Sequence, residues 1–174
     1  MTMARAVTAG CIWQKTSSGV RAALVWMLAF VAFAANARAS AESATIALTF
    51  DDLPALSRID DQAQLNYITD ALLRGLRRHH FQATGFVNEI NLDNMDREQQ
   101  IANLDKWLQA GMDLGNHTYS HEPASAVGAT AYIEDIERGE RVTKWLLARH
   151  GKRIRWFRHP YLDTGSPAPV REQI

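Results

Sequence analysis

Short runs of strand-forming residues alternate along this chain with longer stretches of helical periodicity, and that alternation limits the fold more than any other feature. "TIALTF" (45–50), "ATGFVNE" (83–89), "MDLGNH" (112–117) and "RIRWFRHPY" (153–161) read as four strands. Between the first two, residues 61–80 place Leu65, Ile68, Leu72, Leu73 and Leu76 at helical spacing, with Asp60 or Asp61 as N-cap. Residues 96–111 predict a second helix with Ile101, Leu104, Trp107 and Leu108 on one face, closed by Gly111. Residues 129–151 predict a third, ended by Gly151. Strands separated by helices form parallel sheets, so the predicted class is α/β with about four βα units. Trp107, Trp145 and Trp156 fall in these elements and read as core rather than as sugar platforms.

The first 39 residues follow a different pattern. Arg5, Lys15 and Arg21 precede an uncharged apolar run, "AALVWMLAFVAFAA" (22–35), and "ARA" (37–39) follows. The run is shorter than the roughly 20 apolar residues a membrane span needs. A positive leader, an apolar middle and a small-x-small site are the parts of an export signal. The expectation is a cleaved signal peptide over 1–39 and one domain over 40–174, exported to the periplasm or secreted. No lasting membrane attachment is expected once the signal is removed. The 174 residues carry 19 basic and 19 acidic side chains, and that balance gives no reason to expect nucleic acid or an anionic surface as partner. The lone Cys11 cannot form an internal disulfide. At the other end, "GSPAPVREQI" reads as Ser166 capping a helix over 170–174 within whose first turns the chain stops. A closed barrel of this kind usually takes about 200 residues or more. The domain is therefore expected to be incomplete at its C-terminus.

In parallel sheets ligands gather at the C-terminal ends of the strands. The polar clusters fall there: Asp51-Asp52, "HTYSH" (117–121), and Arg158 to Asp163. His117 and His121 stand four apart, so a single helical turn before Pro123 would put both on one face. Two imidazoles and one carboxylate make a three-ligand site with positions left for water. The alternative is two solvated histidines on a loop. Thr118 stands where the helical zinc-protease motif carries glutamate, so a base must come from elsewhere. Asp51 and Asp52 supply it: a cation on one removes their mutual repulsion and leaves the other free to accept a proton. Their alternative is an Asx-type turn before Pro54. Arg158 is suited to hold the free aspartate ionised, or else forms a surface salt bridge. The Tyr161 amide, after Pro160, is suited to face an oxyanion. His159 is expected to point to the opposite face from Arg158. A two-histidine, one-carboxylate set also serves non-haem iron oxygenases, but these usually carry HxD with a distant histidine, which this sequence does not contain.

"TFDD" (49–52), "HTYSH" (117–121) and "RHPY" (158–161), in this order and spacing, resemble the first three motifs of the polysaccharide deacetylases, the NodB homology domain or carbohydrate esterase family four. The resemblance covers roughly residues 44–165. It implies a partial, distorted (β/α) barrel. It implies Asp51 as general base, Asp52, His117 and His121 as metal ligands, Arg158 as the residue that orients the base, and the Tyr161 amide as oxyanion donor. The cofactor it implies is a divalent metal, usually zinc. The substrates it implies are acetylated polysaccharides such as chitin oligomers, peptidoglycan or xylan. Two departures stand out. Leu53-Pro54 follows "TFDD" where the family usually has glycine, and the later motifs, which carry a general-acid histidine, are not found; His150 does not match it. The expected function is metal-dependent removal of acetyl groups from such a polymer. The alternative is a fragment that binds metal or glycan without turnover.

Overall fold

The computed structural model describes residues 45–55, 61–166 and 168–174. The predicted signal peptide lies outside the described residues. Three strands, β1 (Leu48–Leu53), β2 (Ala83–Val87) and β3 (Asp113–Asn116), form one parallel sheet in the order β1-β2-β3. Between them run α1 (Gln62–Arg78) and α2 (Arg97–Gln109), with a 3₁₀ turn at Glu89–Asp93. After β3 come α3 (Ala124–Val127), α4 (Ala129–Arg138), α5 (Arg141–Arg149), a second 3₁₀ turn at Pro160–Leu162, and α6 (Ala168–Arg171). The class is α/β with parallel strands, part of a (β/α) barrel. Among the described residues no helix is long and apolar enough to cross a membrane.

The helices begin and end for local reasons. The Asp61 carboxylate accepts from the Ala63 amide at 2.9 Å, and Asp96 accepts from Gln99 at 3.1 Å, so each cap satisfies a donor that helix geometry leaves without a partner. After α2 the chain turns at Gly111 with φ of +84°, a conformation that costs a residue with Cβ more than glycine. Leu73 and Leu76 of α1, Leu104, Trp107 and Leu108 of α2, and Leu146 and Leu147 of α5 belong to one buried cluster with Leu53, Val87 and Leu114 of the strands. Each such side chain contributes about 1.5–3 kcal/mol by leaving water. This core holds the strand ends, and hence the polar rim, at fixed separations.

Four expectations are corrected. The segment 153–161 is not a strand; its contact with the sheet is a single parallel bridge between Asn116 and Phe157. A buried parallel strand needs near-continuous apolar residues, whereas Lys152, Arg153 and Arg155 interrupt this one. Arg155 and Lys152 instead turn to the Asp113 carboxylate at 2.7 and 3.8 Å. The third helix is two helices, broken at Gly139–Glu140. A Cβ on Gly139 would lie 2.3 Å from the Thr118 carbonyl carbon, so only glycine admits the "HTYSH" backbone against this corner. The buried Glu89 carboxylate then accepts from the Thr143 amide at 2.7 Å and caps the first turn of α5. Only Trp107 is core: Trp145 and Trp156 are 52% and 49% exposed, one on the outer side of α5 beneath the Arg149 guanidinium, the other in the segment that does not join the sheet. The last helix starts at Ala168, ahead of the predicted 170.

Candidate functional site

Adjacent residues on a regular strand point to opposite faces. At the end of β1 that rule is broken. Phe50 pairs with Gly85 and Leu53 with Val87, so β1 spends three residues where β2 spends two. The bulge falls on Asp51-Asp52, and Asp52 has a φ of +60°. The two carboxylates therefore take different partners on the same rim. Asp51 Oδ1 lies 2.7 Å from Arg158 Nη1. Asp52 Oδ1 lies 3.3 Å from His121 Nε2 and 3.8 Å from His117 Nε2.

The predicted helical turn over 117–121 does not form. His117 and His121 converge through left-handed torsions at Thr118 (φ 64°) and His121 (φ 62°). Hydrogen bonds hold the loop in that shape. The Asp135 carboxylate accepts from the Tyr119 amide, the Ser120 amide and the Ser120 hydroxyl at 2.9–3.2 Å. Asn116 Oδ1 accepts from the Thr118 amide at 2.7 Å, and Thr118 Oγ1 accepts from the His121 amide at 3.1 Å. Asn88 Nδ2 donates to the His117 carbonyl. Among the described residues six non-glycine residues have positive φ, and five of them, Asp52, Thr118, His121, Tyr161 and Leu162, lie on this rim. Such torsions cost on the order of 1–3 kcal/mol each and concentrate where function requires a fixed geometry.

Arg158 joins the two halves of the rim. Its side chain donates to Asp51 and, at 3.0 Å, to Thr49 Oγ1, and its guanidinium lies 4.2 Å from the Phe86 ring centroid. Its carbonyl lies 2.7 Å from His117 Nδ1. A carbonyl only accepts, so Nδ1 carries the proton and Nε2 presents a lone pair toward Asp52. Burial lowers the His117 pKa, outweighing the upward pulls of the Arg158 carbonyl, Asp51 and Asp52, so the ring stays neutral below its ordinary range. An imidazole lone pair and a carboxylate facing each other repel unless a cation lies between them. One donor atom each from Asp52, His117 and His121 lies within 4.8 Å of the others. Donors at about 2.0–2.2 Å on tetrahedral corners stand roughly 3.3–3.5 Å apart. The donor set suits a divalent cation, with the Asp52–His121 separation at that spacing and the Asp52–His117 separation wider.

Of the remaining residues singled out in the sequence, Tyr161 and Leu53-Pro54 lie at this rim, whereas His159 and His150 take partners away from it. The exposed Tyr161 ring lies 4.7 Å from the His121 ring, and Tyr161 has a φ of 56°. His159 points away as expected, stacked on buried Tyr132 with its Nδ1 3.0 Å from the phenol. The segment after the aspartates carries a cis Leu53–Pro54 bond, with Leu53 buried. His150 pairs with Asp105 at 2.7 Å.

A sequence profile described as polysaccharide deacetylase matches residues 38–171. The chain belongs to the polysaccharide deacetylase family. It is 31% identical over 119 residues to the peptidoglycan-N-acetylglucosamine deacetylase of Bacillus cereus, across 68% of this chain and 36% of that relative. Among solved structures, the peptidoglycan deacetylase PdaC from Bacillus subtilis matches with a TM-score of 0.55 at 25% identity, covering 74% of this chain and 54% of the other. A family 4 carbohydrate esterase from Streptomyces lividans in complex with acetate matches with a TM-score of 0.52 at 25% identity, covering 75% and 57%. This deacetylase-family chain thus spans 36% of the curated relative and 54–57% of the two solved chains.

Sequence reasoning missed Thr49, Asn88 and Asp135. Thr49 stands two residues before Asp51, and strand alternation would have put both on one side. Asn88 and Asp135 carry no such signal, because each acts on a loop distant in sequence.

Proposed function

We propose that this chain is a metal-dependent hydrolase that removes acetyl groups from an acetylated polysaccharide, with peptidoglycan-type N-acetyl amino sugars the leading substrate class. The division of labour between the two aspartates carries this reading: Asp51 is paired with Arg158, while Asp52 faces the two imidazoles. Asp52, His117 and His121 are the ligands, and zinc is the metal proposed, since catalytic zinc sites use two imidazoles and one carboxylate with a position left open. When bound, the cation supplies a Lewis acid that polarises the acetyl carbonyl and lowers the pKa of water. Asp51 is the general base; the Arg158 guanidinium donates to it and fixes its orientation toward attacking water. Burial keeps His117 neutral and the Arg158 carbonyl orients it, so one residue aligns base and ligand together. The Tyr161 amide is the oxyanion donor. The name of the Bacillus cereus relative supports the peptidoglycan class. The signal-like residues 1–39 support export to the periplasm or beyond.

The test measures zinc binding by calorimetry and acetate release from acetylated chitin oligomers and peptidoglycan. Asp51→Asn is expected to lower release about 10²–10⁴-fold while zinc affinity changes little. Asp52→Ala is expected to lose both. Equal release from wild type and Asp51→Asn rejects the mechanism, and zinc binding without release from either polymer rejects turnover.

A further inference from the structure

The balanced net charge conceals a segregation. In a parallel sheet with returning helices, the N-terminal ends of the strands and the C-terminal ends of the helices share one pole, opposite the rim that carries the metal centre. Three contiguous hollows lie at that pole. One, of about 650 Å³, is lined by Arg74, Arg77 and Arg78 of α1 with Lys106 of α2. The next, of about 340 Å³, holds Ile46 and Trp156 beside Lys152 and Arg155. The third, of about 500 Å³, shares Lys152 and Arg155 and adds Arg153. Ala110 lines the first and Gly111 the second, so the hollows adjoin.

Carboxylates match only part of this charge. Asp70 takes Lys106 at 2.8 Å, and Asp113 takes Arg155 and Lys152. Among the described residues, Arg74, Arg77, Arg78 and Arg153 make no ion pair. The α1 dipole favours Arg77 and Arg78 in its last turn, but Arg74 lies a turn earlier and Arg153 is on no helix. Large apolar side chains accompany the cations with about half or more of their surface exposed: Ile46 and Trp156 in the second hollow, and Phe81 three residues after Arg78. Four cations line the first hollow, but it is far larger than a small anion, and the cations run on through the second and third hollows with apolar groups between them, the composition that suits a lipid headgroup layer.

We propose that this pole docks on an anionic phospholipid surface, its arginines on the phosphates and Ile46, Phe81 and Trp156 in the headgroup layer. Docking so leaves the metal-bearing rim facing away from the lipid. The inference does not depend on the proposed deacetylation. The test is sedimentation of the full chain with vesicles of phosphatidylglycerol and phosphatidylcholine, or of phosphatidylcholine alone. Each arginine near the surface is worth about fivefold in partitioning, so R74Q/R77Q/R78Q is expected to lose on the order of 10²-fold on anionic vesicles. Wild type is expected to favour anionic over neutral vesicles and to be released by 0.5 M salt, about three times the physiological level at which screening acts within 8 Å. Zinc affinity is expected to be unchanged in the variant. A second variant, R153Q/W156S, touches no helix and reads the same face should the triple variant fold poorly. Wild-type partitioning by the folded variants overturns the proposal. So does equal wild-type binding to neutral vesicles, and so does binding to soluble poly(glycerol phosphate) without binding to vesicles.

Discussion

His159 illustrates how far a single residue can be read. Its position beside Arg158 predicts the opposite face, and it lies there, but its partner Tyr132 is 27 positions away and carries no sequence signal. Burial lowers the His159 pKa against a smaller upward pull from Asp163. Burial, with Asp163 and Asp135, raises the pKa of Tyr132, so the phenol keeps its proton and hydrogen-bonds the neutral ring at Nδ1. The folded pKa thus lies below the unfolded value of 6.5, and the folded state binds fewer protons in between. Stability is full above pH 6.5 and falls as pH drops through that value toward the folded pKa. In metal-free buffer the melting temperature is expected to fall on acidification below 6.5. The fall is expected to be smaller in His159→Gln, whose amide keeps a hydrogen bond to Tyr132. His117 shifts in the same direction, so the difference between variant and wild type is the informative quantity, and identical pH profiles would contradict the assignment. The aspartate pair shows the same boundary of legibility. That one carboxylate would take a cation and the other a proton is an expectation drawn from their adjacency. Which does which depends on a bulge and a left-handed torsion that "TFDD" alone does not announce.

At the scale of elements, the periodic helices and apolar strands were legible because burial imposes 3.6- and 2-residue repeats on sequence. What was not legible was set by contacts between distant segments. The pattern over 129–151 is continuous enough to predict one helix. The break at Gly139 exists because the "HTYSH" backbone packs against it, and helix periodicity carries no record of a neighbour. Gly139→Ala tests this. In an isolated helix the change would stabilise by roughly 0.5–1 kcal/mol. Here the added Cβ meets the Thr118 backbone at 2.3–2.5 Å, and forced overpacking costs typically about 1–3 kcal/mol. The variant is expected to melt below wild type and to bind zinc more weakly, because the atoms displaced belong to the loop carrying both imidazoles. A melting temperature at or above that of wild type would mean the corner yields freely. Likewise the charges that kept 153–157 out of the sheet were visible in the sequence, but the apolar residues between them outweighed them in the reading.

For the whole domain, the proposed metal centre joins segments that the core holds only indirectly. Asp52 comes from the end of β1, and His117 and His121 from beyond β3, with β2 between those two strands. Without a cation, the His117 lone pair faces the Asp52 carboxylate across this junction with the His121 ring beside them, and five left-handed residues around it are held against their torsional preference. A ligand that binds only the folded chain stabilises it by mass action, by about 2.7 kcal/mol at a free concentration of 100 times Kd. For a domain of this size that corresponds to a rise of roughly 10 °C in melting temperature. Chelation is therefore expected to lower the melting temperature by about that amount, and zinc to restore it. Asp52→Ala is expected to melt at one temperature with or without chelator. Asp51→Asn is expected to keep the full response, because its carboxylate is engaged with Arg158 rather than with the imidazoles. Both variants remove a carboxylate from adjacent positions, so opposite responses, repeated with alanine at both, report the partition of partners along the rim. If chelator moves neither wild type nor Asp51→Asn, the three donors do not share a cation.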